Sequence, residues 1–273
     1  MDFPYEEVFK NVEQSLLAYG AKQRPREEIR NALDRFKTFG ERELTDELCF
    51  STLVDVTFYS GMRAATVTSK LAAIHKHFAD YRRVSDFGAR DIERILADDM
   101  MLRNRRKIEA CVQNAKVMRE IVEQHGSFST YLAGFDPKDP KGPFENLLLL
   151  KEELEARFAY LGGITVYHFM TELGLPVLKP DRVIERLFLR LGLVDRERQH
   201  LKTVIHGRKF AEATGLPIRY IDIVLVAFGQ VQALEFGIDR GICLEKQPRC
   251  QLCSLHDICT YYQENEQLAE VTK

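Results

Sequence analysis

Four cysteines near the C-terminal end of this sequence constrain the chain more than any other feature. They follow the pattern Cys243-x6-Cys250-x2-Cys253-x5-Cys259. Thiolates at such intervals hold a tetrahedral zinc ion or an iron–sulfur cluster, and in an oxidising compartment they could instead form two disulfides. Zinc ribbons usually carry two well-separated CxxC pairs, whereas only one is present here. The segment 243–259 is therefore expected to be a metal-binding loop.

The composition is that of an ordinary soluble globular protein, with 273 residues, 45% hydrophobic and 29% charged. No apolar run reaches the roughly 18 residues that a membrane span needs. The N-terminus lacks the basic and apolar regions of a signal peptide. Clustered thiols without an export signal indicate a reducing cytosol, so the protein is expected to be cytoplasmic and free of membranes.

The net charge of −2 gives the chain no overall basic field. Any nucleic-acid binding must therefore come from local patches. One basic cluster spans 103–107, and such a run is usually a solvated helix face. Cys49 and Cys111 lie in apolar helical contexts and are expected to be buried, inert thiols.

Apolar residues recur at three- and four-residue spacing along most of the chain, as in Val183, Leu187 and Leu191. No alternating run is long enough to require a sheet. Glycines and prolines interrupt the pattern, for example at Gly126 and Gly215. These features predict an all-α fold of about ten to twelve helices.

The segment 158–170 contains an apolar helix, a double-glycine turn and a second helix. Gly162 and Gly163 would let the backbone approach a phosphate, and the start of the second helix offers unpaired N–H groups to an anion. The segment resembles the helix-hairpin-helix of DNA glycosylases, whose usual core is Leu-Pro-Gly-Val-Gly, with Thr165 in place of the last glycine. The resemblance implies that Gly162, Gly163 and Thr165 contact DNA.

The segment 178–191 resembles the stretch that holds the catalytic aspartate of these glycosylases. In that family an arginine follows the aspartate after five residues, and often another after four more; Asp181, Arg186 and Arg190 reproduce this spacing. The resemblance implies that Asp181 is catalytic and that Arg186 binds DNA. Asp181 is also a favoured helix N-cap, and the two roles are compatible.

Bifunctional members of the superfamily carry a strand-cleaving lysine six residues past the hairpin leucine. Here that position is Tyr167, six past Leu161. A phenol of pKa about 10 cannot form the imine that a lysine forms. The resemblance thus implies a monofunctional enzyme with Tyr167 in the base pocket, and Lys179 is the only nearby amine that could alter this. The 14 residues from Tyr167 to Asp181 are about one helical turn fewer than in endonuclease III.

The middle of the chain resembles the 3-methyladenine DNA glycosylase I family. Residues 154–175 are similar to that family's Phe-x-(aromatic)-(aliphatic)-Gly-x-Thr-x-x-Tyr-x-Phe-Met motif followed by Gly-Leu. Residues 104–116 are similar to its Arg-x-Lys-Ile-x-Ala-x-x-x-Asn-Ala helix. This chain has no tryptophan, unlike that family, so its substrate cannot simply be carried over.

Past residue 176 the resemblance passes to the iron–sulfur glycosylases. The cysteine spacing, with Lys246-Gln-Pro-Arg-Cys-Gln-Leu-Cys253, resembles the [4Fe-4S] loop of endonuclease III and the adenine-mismatch glycosylases. The resemblance implies a [4Fe-4S] cluster as cofactor, bound by the four cysteines. It also implies that Lys246 and Arg249 meet DNA phosphates.

Residues 53–67 match the place where both families have a base-pocket wall and an intercalating loop. Flipping a base requires a plug for the gap in the helix and an aromatic face for the extruded ring. Met62 and Arg63 are the candidate plugs. The candidate pocket residues are Asp55, Phe58 and Tyr59, although the helical spacing of Phe58 from Val54 also fits a core position.

The sequence therefore predicts a two-lobed helix-hairpin-helix DNA glycosylase of base-excision repair. One helical domain would span 44–175, and 1–43 with 176–273 would form the second, with a cleft between them. The enzyme is expected to act as a monomer on double-stranded DNA with a damaged base, associated with the nucleoid, and an alkylated purine such as 3-methyladenine is favoured. The alternatives are a strand-cleaving lyase of endonuclease III type, a mismatch or uracil glycosylase, and an iron–sulfur DNA-binding protein without catalysis.

Overall fold

The computed structural model describes residues 3–137 and 144–271, and α-helices make up most of these ranges. In chain order they are α1 (Tyr5–Gly20), α2 (Arg26–Asp34), α3 (Asp46–Tyr59), α4 (Ala64–Thr68), α5 (Leu71–His77), α6 (Tyr81–Ser85), α7 (Ala89–Leu96), α8 (Arg105–His125), α9 (Phe128–Ala133), α10 (Phe144–Arg157), α11 (Ile164–Glu172), α12 (Arg182–Arg190), α13 (His200–Thr214), α14 (Ile218–Gly229) and α15 (Thr260–Val271). The described residues contain no β-strand, only an isolated bridge between Ala233 and Ile238. The prediction of an all-α fold is confirmed.

The described ranges hold fifteen α-helices rather than the expected ten to twelve. The difference comes from short helices such as α4 and α6, which have five residues each. A helix of that length covers little more than one turn, so no repeating apolar pattern can reveal it.

Residues with a special backbone or capping role mark the helix boundaries. Gly126 has φ +84° where α8 ends, and Gly215 has φ +67° where α13 ends, in a region that glycine enters without strain. The hydroxyl of Ser127 accepts a hydrogen bond from the Thr130 N–H at the start of α9. The two helix ends predicted at Gly126 and Gly215 are confirmed.

The chain divides into two compact units. The first comprises Met1–Glu41 and Pro176–Lys273. Its core forms where α1, α12, α13 and α14 pack on one another, and the rings of Phe9, Phe188 and Phe228 are fully buried there. Burying a phenylalanine side chain stabilises a fold by roughly 1.5–3 kcal/mol, so these rings hold the helices that carry the cysteine loop and Asp181.

The second unit comprises Arg42–Leu175. The long helix α8 packs against α3 and α6, and α11 packs against α3. Phe128 and Phe169 are fully buried in this unit. Cys49 and Cys111 are also buried, as predicted, and burial raises the pKa of the Cys111 thiol.

None of the helices in the described ranges combines the length and the apolar character that crossing a membrane requires.

Candidate active site

The double-glycine turn of the second unit is closed by its own side chains and backbone. Thr165 occupies the position of the family's second core glycine, and its hydroxyl accepts from the Gly162 N–H at 3.0 Å and donates to the Tyr160 carbonyl at 2.6 Å. Tyr160 has φ +65° and Gly163 has φ +57°. Gly162 and Gly163 are exposed. The helix-hairpin-helix geometry therefore forms with threonine in place of the glycine.

A backbone N–H of this turn already donates a hydrogen bond to a carboxylate of the protein. The Gly163 N–H donates to Oε1 of Glu155 at 3.1 Å, and the same carboxylate forms an ion pair with Lys151. Burial raises the pKa of Glu155, but the hydrogen bonds from Lys151 and Gly163 outweigh it and lower that pKa overall. The amide that the sequence assigns to phosphate binding is thus paired with an anion from the protein itself.

Helix α3 carries three of the four predicted base-pocket residues. The Asp55 side chain is 30% exposed, and its Oδ1 lies 2.6 Å from Nε2 of His75. Burial raises the pKa of Asp55, and the hydrogen bond from His75 acts in the opposite direction. The Tyr59 hydroxyl lies 2.9 Å from Oγ1 of Thr68. Asp55 and Tyr59 are thus accessible and held by polar partners, as pocket residues can be.

Two further predicted pocket residues are buried. Phe58 has no exposed surface, and its ring lies 6.0 Å from that of Phe78, so it supports α3 from the core side. Tyr167 on α11 is 5% exposed, and burial raises its pKa, partly offset by Lys151. Their roles in base binding stay predictions.

The turn after α3 contains the candidate plugs. Gly61 has φ +68°, and the Met62 N–H donates to the Tyr59 carbonyl at 3.1 Å. Arg63 is exposed and Met62 is half-buried. The structure thus brings Asp55, Tyr59 and the two plug candidates together at the C-terminal end of one helix.

Lys107 is buried against the end of α3, which its place in a basic cluster does not predict. Arg103, Arg105 and Arg106 of its basic cluster are exposed, as expected, but Lys107 is 3% exposed. The expectation of a solvated face is therefore wrong for Lys107. The available signal was its spacing of four and eight residues from Cys111 and Ala115, which are buried on the same face of α8.

Asp181 in the first unit caps α12. Its Oδ1 accepts from the N–H groups of Val183 at 2.9 Å and Ile184 at 3.1 Å. Its Oδ2 lies 3.2 Å from Nζ of Lys179, and the Asp181 side chain is 22% exposed. The carboxylate is therefore fixed through one oxygen, while the other faces a cation and remains partly accessible.

A buried carboxylate supports this arrangement from behind. Asp222 on α14 is 1% exposed, accepts from the Lys179 N–H at 3.2 Å and pairs with Nη1 of Arg219 at 2.7 Å. Burial raises the pKa of Asp222, and the charge of Arg219 opposes this. Asp222 therefore holds the backbone of the Lys179–Asp181 segment.

The two arginines that follow Asp181 fasten the cysteine loop. Nη2 of Arg186 donates to the carbonyls of Gly229 at 2.6 Å and Cys243 at 3.1 Å. Nη1 of Arg190 donates to the Leu244 carbonyl at 2.8 Å and to Sγ of Cys243 at 3.1 Å. The DNA contact expected of Arg186 stays a prediction, because its donors are used within this unit.

The four loop cysteines are free thiols that act on one another. Burial is the main cause that raises the pKa of Cys253 to about 12, and the nearby Cys243, Cys259 and Cys250 contribute to this rise. Within the described ranges, no three His, Cys, Asp or Glu side chains lie close enough together to hold one metal ion.

Two cationic residues of the loop differ in their surroundings. Lys246 is exposed. The guanidinium of Arg249 lies 4.3 Å from the ring centre of Tyr19 and donates to the Arg240 carbonyl at 2.9 Å. Lys246 is thus the freer of the two for an external phosphate.

Comparison with known proteins gives one family. The sequence model of the methyladenine glycosylase family matches residues 36–179. The DNA-3-methyladenine glycosylase of Haemophilus influenzae is 25% identical over 153 residues, which cover 51% of this chain and 83% of that protein.

Two solved structures resemble a larger part of the chain. The 8-oxoguanine DNA glycosylase of Thermotoga maritima has 21% identity and a TM-score of 0.51, over 82% of this chain and 96% of that one. The 8-oxoguanine glycosylase/lyase of Methanocaldococcus jannaschii, crystallised with a 15-mer DNA containing 8-oxoguanine, has 18% identity and a TM-score of 0.52, over 81% and 96%. At these identities the likeness concerns the fold, which is that of helical DNA glycosylases.

Proposed function

The chain belongs to the methyladenine glycosylase family and is a DNA glycosylase of base-excision repair, and on that premise we propose that it removes an alkylated purine such as 3-methyladenine from double-stranded DNA. The reaction is hydrolysis of the N-glycosidic bond, with Asp181 as the catalytic carboxylate. The protein acts as a monomer in the cytoplasm, at the nucleoid. We also propose that the chain has two functional domains, one of residues 44–175 and one of residues 1–43 with 176–273.

The geometry of Asp181 is the main support for the proposed hydrolysis. Two N–H groups of α12 hold Oδ1, so Oδ2 keeps a fixed position beside Lys179. A carboxylate that needs no reorganisation stabilises developing positive charge more strongly than one that must first turn toward it. Phosphate binding alone would not use a carboxylate in this position.

The chemical steps follow from the charge on the base. Alkylation at N3 makes the purine cationic, so the C1′–N bond breaks with its electron pair on the base, which leaves neutral. The sugar becomes oxocarbenium-like, and the Asp181 carboxylate stabilises that charge. Asp181 then orients a water molecule and accepts its proton as the water oxygen bonds to C1′.

The accessible groups of α3 support a pocket for a cationic base. Asp55 offers a carboxylate, and Tyr59 offers an aromatic face, with Tyr167 and Phe58 behind them. Met62 and Arg63 follow on the same backbone and are proposed to fill the gap left by the flipped nucleotide. The exposed hairpin glycines and Lys246 are proposed to contact phosphates, together with Thr165, Arg186 and Arg249.

We further propose that the enzyme is monofunctional. The position of the strand-cleaving lysine holds Tyr167, and the ammonium of Lys179 is paired with Asp181 at 3.2 Å. The Lys179 amine is thus engaged by the Asp181 carboxylate and stands outside the position from which the family's lysine attacks C1′.

The cysteine loop fits a [4Fe-4S] cluster. Around one zinc, Zn–S bonds of about 2.3 Å would bring all four sulfurs into contact. A cluster places each thiolate on a different iron, so its four sulfurs stand farther apart. Four free thiols on one loop, with Nη1 of Arg190 donating to the Cys243 sulfur at 3.1 Å, support thiolate ligation of such a cluster. The cluster would supply four iron–thiolate bonds that fix Lys246 and Arg249 on the loop.

The test is a panel of duplex oligonucleotides that each carry one lesion. The panel includes 3-methyladenine, 8-oxoguanine, uracil and a thymine mismatch, with alkali added to reveal abasic sites and borohydride to trap an imine. We expect release of the alkylated purine, strand breaks only after alkali, and no trapped complex. Release of another base alone would replace the proposed substrate, and a borohydride-trapped complex would show a lyase.

A further inference from the structure

The buried ammonium of Lys107 is bound at the end of α3. Its Nζ donates to the carbonyls of Thr57 at 2.6 Å, Phe58 at 2.9 Å and Ser60 at 2.5 Å. The last four carbonyls of an α-helix have no partner within the helix and carry partial negative charge. Lys107 therefore closes the C-terminal end of α3 with all three of its N–H donors.

The backbone that Lys107 holds leads directly into the candidate plug. Ser60 is followed by Gly61 at φ +68°, and a Cβ at Gly61 would meet nothing within 4 Å. The turn that carries Met62 and Arg63 is thus open on one side and fixed on the other by the carbonyls that Lys107 binds. Lys107 itself is buried and reaches neither base nor phosphate.

The same face of α8 also holds the approach to the hairpin. The Lys107 ammonium lies 5.2 Å from the ring centre of Tyr160. Seven residues along α8, two helical turns, the fully buried Asn114 accepts from the Ala159 N–H at 2.8 Å and donates to the Ala159 carbonyl at 3.0 Å. One helix face therefore fixes two segments that are expected to meet DNA.

We propose that Lys107 is a positioning residue for base excision, holding the α3 end and the Gly61–Arg63 turn in the geometry that accepts a flipped nucleotide. The inference rests on the proposed function. Because Lys107 acts through the turn, it affects the rate of excision and leaves the affinity for undamaged DNA unchanged.

The charge of Lys107 predicts a characteristic pH dependence of excision. Burial lowers its pKa to about 8, and the Cys111 thiol opposes this shift. Asp55 of α3 acts on the same thiol, and the Tyr160 ring faces the ammonium. Above this pH the neutral amine has two N–H donors for three carbonyls and no charge for the helix end. Excision should therefore fall as the pH rises through about 8.

The experiment compares Lys107→Met and Lys107→Arg with wild type, and Lys116→Met, an exposed lysine on the same helix, is the matched control. Single-turnover excision is measured from about pH 6 to about pH 9.5, a range that brackets the lowered lysine pKa. Affinity for undamaged duplex is measured alongside. The methyl resonance of Met62 is followed by NMR, which needs no catalysis, and thermal melting shows that each variant is folded.

Lys107→Met should lower the excision rate on the order of 10- to 100-fold, as expected for a small misplacement of catalytic geometry. It should broaden the Met62 resonance and leave affinity for undamaged duplex at the wild-type value. Lys107→Arg, whose guanidinium does not titrate in this range, should restore much of the rate and remove the alkaline decline. Lys116→Met should behave as wild type.

A folded Lys107→Met with wild-type excision and an unchanged Met62 resonance would overturn the inference. So would an alkaline decline that persists in Lys107→Arg. A wild type that releases no base from any lesion would instead overturn the proposed function, and it is distinguished because activity is then missing before any substitution.

Discussion

At the scale of single residues, the two carboxylates Asp181 and Glu155 are held in different ways. Asp181 is fixed by backbone amides through Oδ1, so Oδ2 stays available beside Lys179. Glu155 is held by the Gly163 amide and Lys151, and therefore occupies a donor that DNA would use. On the proposed function, the first arrangement suits a catalytic carboxylate, whereas the second places a negative charge at the proposed phosphate contact.

Removing the charge of Glu155 should tighten DNA binding. Glu155→Gln keeps an oxygen that can accept from Gly163 but no longer repels phosphate. Removal of a like charge near the surface is worth about 0.3–1 kcal/mol, so Kd for an undamaged duplex should fall roughly two- to fivefold at low salt. The matched control is Glu152→Gln, which removes the same charge from the same helix and the same Lys151 partner. If both variants lower Kd equally, the tighter binding comes from the change in net charge and not from release of the Gly163 amide.

At the scale of elements, glycine turns and capped helix starts position the candidate site residues. Some of these features can be predicted from the sequence and others cannot. The helix breaks at Gly126 and Gly215, the hairpin and the Asp181 cap could be predicted, because each depends on local residue chemistry. The buried position of Lys107 and the inward hydrogen bonds of Arg186 could not, because they depend on which face of a helix packs. The pairing of Glu155 with Gly163 depends on how α10 and α11 meet.

The hairpin turn should tolerate a side chain at Gly162 better than at Gly163. Gly163 has φ +57°, so a β-branched residue is strained there although space is open. Gly163→Val should weaken binding to all duplexes alike, by about tenfold, because the turn reads phosphate rather than base. Gly162→Ala, whose Cβ would meet Glu155 at an ordinary 3.5 Å, should weaken binding less than Gly163→Val. Fluorescence anisotropy with several undamaged sequences measures both, and a loss confined to one sequence would argue against phosphate recognition.

The cysteine loop should depend on the guanidinium of Arg190. Its Nη1 donates to the Leu244 carbonyl and the Cys243 sulfur, its Nη2 donates to the Glu245 carbonyl at 3.3 Å, and the planar guanidinium lies 4.2 Å from the ring centre of Tyr261. A lysine provides a single ammonium and cannot reproduce this set. We expect Arg190→Lys, purified without air, to contain less iron than wild type, which should hold about four irons per chain. Exposed Arg196→Lys is the control. Wild-type protein with one zinc and no iron would contradict the cluster.

At the scale of the whole molecule, the chain has a net charge of −2 and yet acts on DNA. Affinity must therefore come from a few local contacts, so its salt dependence should be shallow compared with that of a basic DNA-binding domain. The residues proposed for the activity come from both units: the second contains the hairpin and the α3 turn, and the first contains Asp181 and the cysteine loop.

The most direct test of the account is single-turnover release of 3-methyladenine from a duplex by wild type and by Asp181→Asn. Asparagine preserves the size and the capping oxygen but removes the charge that stabilises the sugar cation. Asp195→Asn, an exposed change in the same unit with the same loss of charge, is the control. The account predicts a loss on the order of 10²–10³ in rate for Asp181→Asn, with duplex binding equal to or tighter than wild type and a wild-type rate for Asp195→Asn. Release at the wild-type rate by a folded Asp181→Asn would contradict it.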